Sequence, residues 1–352
     1  MDAIFDKILA GARISGKDFL HLAANADIYQ LGFLANTMRT RLHPKRMVTY
    51  VVDRNINYTD ICISGCKFCA FYKAPGDSAG YVLSFAELGD KIRETQQLGG
   101  TQILLQGGLH PDLPLGFYEE MLRFMKGFDI HVHGFSPPEI HHFAELSGLS
   151  PRAVLARLQA SGLDSMPGGG AEILNNRVRS EIAPRKCTAD QWIEVMREAH
   201  HLGLRTTATM MFGHIETMAE RLEHLQRIRD LQDETHGFTA FIPWPFQPDH
   251  TALGHIEKTT GFAYLKMLAL SRLFLDNIPN IQASWVTQGP KIAQVSLFFG
   301  ANDFGSTMIE ENVVAAAGVS FRLTRQEIEG LVRSAGFIPR QRRMDYTLVE
   351  QA

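Results

Sequence analysis

Three closely spaced cysteines constrain what this chain can do more than any other feature of its sequence. Cys62, Cys66 and Cys69 lie within eight residues, and the chain has one further cysteine, Cys187. Three thiolates can bind three irons of a cubane iron-sulfur cluster and leave the fourth iron open to a small molecule. A structural zinc site normally has four ligands in paired spacing, and no fourth ligand lies nearby in sequence. The spacing therefore favours an iron-sulfur cluster that takes part in chemistry, whereas Cys187 has the features of an ordinary buried thiol.

The composition indicates a globular protein that acts on small molecules. The chain has 352 residues, of which 45% are hydrophobic and 21% charged, and its formal net charge is -3. This charge gives no field that would attract nucleic acid or an anionic membrane, so neither is an expected partner. The first residues lack the basic and apolar pattern of a secretion signal. We therefore expect a cytoplasmic protein, in which a reducing environment keeps the clustered thiols free.

An alternation of capped helices and β-rich runs predicts an α/β fold. The β-rich runs cover residues 47–53, 101–106, 130–135, 163–166, 205–212, 238–244 and, less clearly, 281–286. Helices begin at three capping boxes, Ser84 to Glu87, Thr188 to Gln191 and Thr217 to Glu220. Parallel strands joined by helices, without a break in composition, favour a TIM-type barrel over a doubly wound sheet. We predict an N-terminal helical extension over 1–44, a barrel over 45–322, and a C-terminal helix and tail over 323–352.

Polar residues follow the predicted strands, where barrel enzymes carry their active sites. The loop after the third strand contains His133, Ser136 and Glu139, and later loops contain Glu172 and His214. Each has a simpler explanation, since carboxylates favour helix starts and single histidines are usually hydrogen-bonded structural residues. Glycines after strands, a pair at 107–108 and a run of three at 168–170, are either turns or sites where the backbone approaches a ligand.

The cysteine spacing, with the aromatic Phe68 directly before Cys69, resembles the signature of the radical S-adenosylmethionine (SAM) superfamily. Within that superfamily, nearly the whole chain resembles the family of cyclic dehypoxanthinyl futalosine synthases. These enzymes serve the futalosine route to menaquinone. The segments that carry it cover residues 51–59, 66–72, 106–111, 131–139, 167–172, 206–214, 241–248 and 300–306. Aminofutalosine synthase and the tyrosine-using subunit of deazaflavin FO synthase share much of this pattern, and residues 244–248 and 300–306 favour the cyclase.

The resemblance implies a radical SAM barrel, a [4Fe-4S] cluster and S-adenosylmethionine as cofactors, and a nucleoside-derived substrate. It implies that a 5′-deoxyadenosyl radical takes a hydrogen from the ribose C4′ of dehypoxanthine futalosine. The sugar radical then adds to the benzoate ring of the same molecule, and loss of one electron and one proton restores aromaticity. An external one-electron donor such as flavodoxin or ferredoxin is implied as a partner.

The same resemblance implies roles for individual residues. Cys62, Cys66 and Cys69 would ligate iron. The cofactor-binding residues would be Phe68 and Tyr72 at the adenosyl group, Gly107 and Gly108 at the methionine end, and Glu172 with Lys186 at ribose or methionine polar atoms. The substrate would meet Ser136, Glu139 and Thr287, and His133 and His214 are the candidate catalytic residues for the departing proton.

Two other functions remain open from the sequence. One is a related radical SAM enzyme, either the tyrosine-using FO synthase subunit or aminofutalosine synthase, which keeps the barrel and changes the substrate. The other is a protein that carries electrons or binds metal without catalysis, using the cysteines for zinc or a closed cluster.

Overall fold

Parallel strands form the body of the molecule in a computed structural model, which describes residues 1–319 and 321–350. The strands are β1 (Met47–Val51), β2 (Asp53–Asn57), β3 (Gln102–Gln106), β4 (His131–Gly134), β5 (Ser165–Met166), β6 (Arg205–Phe212), β7 (Phe238–Pro245), β8 (Asn280–Ile281), β9 (Asp303–Ser306) and β10 (Ile338–Gln341). β2 to β8 form a seven-stranded parallel sheet in chain order. The segment that contains β9 contacts both edges of this sheet, since Ala283 N donates to Asp303 O and Ile309 N donates to Asp53 O. The sheet is therefore curled as the predicted barrel requires.

Helices connect the strands and surround the sheet. They are α1 (Asp2–Leu9), α2 (Gly16–Asn25), α3 (Ile28–Leu42), α4 (Phe85–Gln97), α5 (Leu115–Lys126), α6 (Pro137–Ser147), α7 (Pro151–Ser161), α8 (Asn176–Ile182), α9 (Ala189–His201), α10 (Met218–Thr235), α11 (Gly261–Phe274), α12 (Trp285–Ser296), α13 (Val313–Ala316) and α14 (Arg325–Ser334). The three predicted capping boxes are confirmed at the starts of α4, α9 and α10. Within the described residues, no helix has the length and apolar character needed to cross a bilayer.

The N-terminal helices pack against the outside of the barrel. Phe19 of α2 contacts Phe274 of α11 edge to face, with the ring centroids 5.3 Å apart. Leu31 and Leu34 of α3 are fully buried. Arg13, between α1 and α2, binds Asp233 and Asp276 beside the ends of α10 and α11. Apolar burial thus supplies most of the attachment, because exposed ion pairs contribute little.

Two sequence predictions about the strands need correction. The predicted strand over 281–286 ends at Ile281, and α12 begins at Trp285. Tertiary hydrogen bonds override the β-rich composition there, because Ser284 N donates to the Tyr264 hydroxyl and Trp285 Nε1 donates to Ser306 O. The first strand also continues through β2 to Asn57, so the cysteine loop begins later than the predicted strand end at Asp53.

The C-terminal segment returns to the barrel after α14. β10 pairs in parallel with β1, from Met47 opposite Ile338 to Tyr50 opposite Gln341. Arg342 N then donates to Tyr50 O, which directs the following residues toward the barrel interior. Arg342 is 5% exposed and forms an ion pair with Asp303 of β9. This segment closes the end of the barrel where the strands begin.

Candidate active site

The cysteine loop lies between β2 and α4, at the end of the barrel where the strands finish. Cys62 and Cys66 are buried, Cys69 is half-buried, and all three are free thiols. The hydroxyl of Ser64 lies 2.9 Å from Cys62 Sγ and 3.3 Å from Cys66 Sγ. The backbone N–H of Leu109 donates to Cys62 Sγ over 3.2 Å. Two sulfurs of the loop therefore share one hydroxyl, and one of them also accepts a backbone hydrogen bond.

These thiols fit a cubane cluster. In residues 1–319 and 321–350, no three Cys, His, Asp or Glu side chains converge as ligands of a single metal ion. A cubane takes each thiolate on a different iron, so its ligands need not converge on one point. Burial raises the pKa of the Cys66 thiol, and the nearby Lys186 ammonium opposes that rise. Ser64 and the Leu109 N–H supply hydrogen bonds of the kind that stabilise cluster-bound sulfur.

Glu172 is held by two cations next to the cysteine loop. Lys186 Nζ lies 3.0 Å from Oε1, and Arg179 Nη1 lies 3.3 Å from Oε2. Burial alone would raise the pKa of Glu172, but Lys186 and Arg179 lower it overall, so the carboxylate is ionised. Glu172 also has a left-handed backbone, with φ of 41°, which is uncommon for a residue with a side chain. A buried charge in a strained conformation is typical of functional sites.

The other predicted cofactor-binding residues lie around this loop. Lys186 Nζ is 5.1 Å from the ring centroid of Phe68, and Tyr72 is half-buried on the same loop. Gly107 and Gly108 are required by the packing of the chain itself. A Cβ on Gly107 would lie 2.3 Å from the Tyr58 ring, and one on Gly108 would lie 2.2 Å from Ile61 O. The packing of the chain thus explains why both positions are glycine, without reference to a ligand.

Ser136 and Glu139 form a buried network with Tyr58. Glu139 Oε1 accepts from the Tyr58 hydroxyl over 2.7 Å and from the Gly107 N–H over 3.1 Å. Its Oε2 accepts from the Ser136 hydroxyl over 2.5 Å. Burial raises the pKa of Glu139 to about 7, although these hydrogen bonds oppose the rise. Both residues belong to the start of α6, where the sequence predicted a loop. Through the Gly107 N–H, the network also supports the turn that follows β3, which we call the Gly107 turn.

A cavity of about 290 Å³ runs along the barrel interior. Three of the sequence-predicted residues line it, namely His133, Glu172 and Thr287. The cavity lining does not include the other predicted residues, which are the three cysteines, Phe68, Tyr72, Gly107, Gly108, Lys186, Ser136, Glu139 and His214. The predicted residues therefore divide into a group around the cysteine loop and a smaller group inside the barrel.

The two candidate histidines have different surroundings. His133 is buried, its Nδ1 lies 2.7 Å from the Ser165 hydroxyl, and burial lowers its pKa well below the usual value. His214 lies outside the cavity, and both of its ring nitrogens contact backbone atoms: Nε2 is 3.1 Å from Met211 O, and Nδ1 accepts from Ile215 N. Only His133 is therefore positioned to face a molecule in the cavity.

Sequence reasoning missed several polar residues of the cavity. Asp53, Asn55, Gln102 and Gln106 line it from β2 and β3, and Arg342 lines it from the C-terminal segment. Most lie within predicted strands, where one residue in two faces the barrel interior. The alternation of inward and outward side chains along each strand could therefore have suggested them. Arg342 follows a short strand with no sequence signal of its own.

Two comparisons of sequence identify the family. Residues 56–228 match the radical SAM superfamily, and residues 235–352 match the CofH/MqnC C-terminal region. The chain is 47% identical over 351 residues to a cyclic dehypoxanthine futalosine synthase from Halalkalibacterium halodurans, and the match covers 99% of this chain and 95% of that protein. The chain belongs to the radical SAM superfamily. As a radical SAM enzyme, it uses a [4Fe-4S] cluster and S-adenosylmethionine.

Other relatives show how widely this radical SAM scaffold is shared. A 5-amino-6-(D-ribitylamino)uracil–L-tyrosine 4-hydroxyphenyl transferase from Archaeoglobus fulgidus is 44% identical over 309 residues, which are 86% of this chain and 89% of that protein. The crystal structure of methylornithine synthase (PylB) superimposes with a TM-score of 0.74 at 17% identity, covering 96% of this chain and 97% of that one. Similar sequences and similar folds thus occur in enzymes whose names specify different reactions.

Proposed function

We propose that this radical SAM enzyme is a cyclase that converts dehypoxanthine futalosine to cyclic dehypoxanthinyl futalosine in menaquinone biosynthesis. One observation carries the proposal. The two segments that favour the cyclase over its relatives, 244–248 and 300–306, supply Trp244 and Ser306 to the cavity wall. Trp244 and Ser306, one from each of these segments, therefore lie where a substrate would touch them.

Cys62, Cys66 and Cys69 would hold three irons of the cluster. When bound, the cluster and S-adenosylmethionine supply a 5′-deoxyadenosyl radical. The Glu172 carboxylate, fixed by Lys186 and Arg179, would bind the ribose hydroxyls or the ammonium group of the cofactor. Phe68 and Tyr72 would line its adenosyl group. A flavodoxin or ferredoxin in the cytoplasm would provide the electron.

The barrel interior would protect the reacting sugar from water and from competing hydrogen donors. Ile242, Trp244 and Trp285 are among the apolar side chains that line the cavity. Thr287 also lines the cavity, and its hydroxyl lies 2.7 Å from that of Ser284. These hydroxyls would hydrogen-bond the substrate, while Ser136 and Glu139 would act indirectly by fixing the Gly107 turn.

His133 would accept the proton that is lost when the benzoate ring regains aromaticity. Its lowered pKa keeps the imidazole neutral and able to accept a proton. Such a weak base is sufficient, because the cation left when the cyclohexadienyl radical gives up one electron, for which the cluster would be the acceptor, is strongly acidic. His214, whose ring nitrogens are engaged by backbone atoms, would have a structural role.

Turnover tests the proposed function. The anaerobically reconstituted enzyme is incubated with reductant, S-adenosylmethionine and one of two substrate sets: dehypoxanthine futalosine, or tyrosine with 5-amino-6-(D-ribitylamino)uracil. Mass spectrometry should find 5′-deoxyadenosine and a product lacking two hydrogens with the first set. Product formation with the second set alone would favour the transferase instead.

A matched pair of cysteine variants tests the cluster ligands. Cys66→Ser should yield neither 5′-deoxyadenosine nor the cyclic product, because loss of one thiolate disrupts the cluster. Cys187→Ser replaces a thiol of similar burial, 5% exposed against 4% for Cys66, and should retain activity. Equal loss in both variants would contradict the assignment.

A further inference from the structure

A buried arginine at the closed end of the cavity has no part in the roles described above. Arg342 lines the cavity and is 5% exposed. Its backbone N–H donates to Tyr50 O over 2.9 Å, which fixes the residue at the level where β1 ends. The cysteine loop begins after Asn57, at the other end of β2. At about 3.3 Å per residue, β2 separates the two positions by roughly 15 Å.

Arg342 gives the cavity its positive charge. Among the described residues that line the cavity, it is the single lysine or arginine, whereas Asp53, Glu172 and Glu311 are acidic. His133 is kept neutral by its lowered pKa. An anionic ligand in this cavity therefore meets one guanidinium on the wall, which is paired with Asp303, at the end remote from the cysteines.

The guanidinium of Arg342 is positioned by groups that leave part of it available. Nε and Nη2 donate to the two oxygens of Asp303, over 2.5 and 3.1 Å, and Nη1 donates to Arg343 O over 3.2 Å. The ring of Tyr346 lies 4.0 Å from the guanidinium carbon. A guanidinium has five N–H bonds. In the described part of the chain these contacts use one on each nitrogen, so each terminal nitrogen keeps a second N–H.

A second neighbouring acid, Asp53, has hydrogen-bond donors of its own. Asp53 accepts from Gln102 Nε2 over 2.7 Å and from the Ser306 hydroxyl. Burial raises the pKa of Asp53, which favours its neutral form. The Asp53 carboxyl therefore takes its hydrogen bonds from Gln102 and Ser306, while the Arg342 guanidinium forms its ion pair with Asp303.

We infer that Arg342 binds the carboxylate of an aromatic acid, so that the substrate lies along the barrel with its carboxylate at the closed end and its sugar toward the cysteine loop. The inference rests on the proposed function for the benzoate identity of that acid. Two N–H groups at the edge of a planar guanidinium suit a planar carboxylate. The depth of the site also explains specificity, because only an elongated substrate reaches from the arginine to the cofactor.

Equilibrium binding of small probes tests the carboxylate site without requiring turnover. Calorimetry on the reconstituted enzyme compares 3-acetylbenzoate with its neutral isostere, 3-acetylbenzamide. The wild-type enzyme should bind the benzoate at least tenfold more tightly. Arg342→Gln should reduce this ratio to about one, and Arg342→Lys should retain part of it. An unchanged ratio in Arg342→Gln would overturn the inference.

The Asp303→Asn variant separates ligand binding from structural support. It breaks the same ion pair but leaves the guanidinium charge, so the preference for benzoate should be kept or increased. If Arg342 only stabilised the fold, both variants would change the binding of the two probes equally. Loss of the preference for benzoate in Asp303→Asn would overturn the inference. Should Arg342→Gln fail to fold, the binding of the two probes to Asp303→Asn, compared with the wild type, tests the inference by itself.

Turnover of dehypoxanthine futalosine keeps the two proposals distinct. An enzyme that makes the cyclic product but shows no Arg342-dependent preference refutes the carboxylate site and supports the function. An enzyme that shows the preference but makes no product refutes the function and leaves the site in place.

Discussion

At the scale of single residues, Glu139 is a carboxyl group whose burial makes the stability of the fold depend on pH. Its pKa is raised to about 7, with burial as the main cause. Below about pH 4.3 both the folded and unfolded chains carry the proton, so burial of this carboxyl as an ion does not lower the free energy of unfolding. As the pH rises to 7, the unfolded chain releases the proton first, and the free energy of unfolding falls by about 3 kcal/mol.

Replacing Glu139 with Gln should remove this dependence. Urea unfolding measured from pH 4 to pH 8 should show the stability of Glu139→Gln, relative to the wild type, rising across that window. The exposed Glu120→Gln on α5 is the control and should follow the wild-type profile. A constant difference between Glu139→Gln and the wild type at every pH would contradict the assignment.

Ser64 connects the residue scale to the redox chemistry of the cluster. Its hydroxyl contacts the sulfurs of Cys62 and Cys66. Hydrogen bonds to cluster sulfur stabilise the reduced state and raise the reduction potential. Ser64→Ala should therefore have a more negative midpoint potential in a redox titration followed by EPR. Ser64→Thr keeps the hydroxyl and should stay near the wild-type value, and a wild-type potential in Ser64→Ala would count against this role.

Local sequence signals predicted some residues of the site and could not predict others. The cysteine spacing is a local pattern, so Cys62, Cys66 and Cys69 could be selected from the sequence alone. Arg342 reaches the cavity because β10 pairs with β1, a contact between distant parts of the chain. His214 was a reasonable candidate by position, but Met211 O and Ile215 N engage its ring. Such tertiary contacts are not visible in a single sequence.

At the scale of elements, the turn after β3 sets the position of the cysteine loop. A Cβ on Gly108 would lie 2.2 Å from Ile61 O and 2.9 Å from Cys62 Cβ. Gly108→Ala should displace the loop, destabilise the fold by about 1–3 kcal/mol and lower the iron content after reconstitution severalfold. Iron analysis and urea unfolding would measure both effects.

Gly116→Ala is the matched control for this turn. Gly116 lies in α5, and an added Cβ meets nothing within 4 Å. Alanine there should stabilise the helix by about 0.5–1 kcal/mol and leave the iron content unchanged. Equal iron content in the two variants would show that the turn does not position the cysteines.

Elements were predictable where their sequence signals are local. Each capping box placed the start of its helix, because the side chains that form it are three residues apart. β9 and β10 were missed, since each has only four residues and is defined by its pairing with β1. The strand predicted over 281–286 extended into the start of α12, because that start depends on contacts of Trp285 and Ser284 with distant residues.

At the scale of the whole molecule, the N-terminal helices and the barrel share one apolar core. Leu34 of α3 is fully buried within it, whereas Leu42 at the end of the same helix is 38% exposed. Leu34→Ala should lower the free energy of unfolding by about 3 kcal/mol in a single transition, and Leu42→Ala should cost less than about 1 kcal/mol. A separate early transition in Leu34→Ala would show that the helices unfold independently of the barrel.

The barrel, the cysteine loop and the cavity together lead to one chemical claim, that a hydrogen atom moves from the substrate sugar to the cofactor. The most direct measurement uses dehypoxanthine futalosine with deuterium at the ribose C4′, followed by mass spectrometry of the 5′-deoxyadenosine. The account predicts one deuterium in the deoxyadenosine and none at that carbon in the cyclic product. Cyclic product accompanied by unlabelled deoxyadenosine would contradict it.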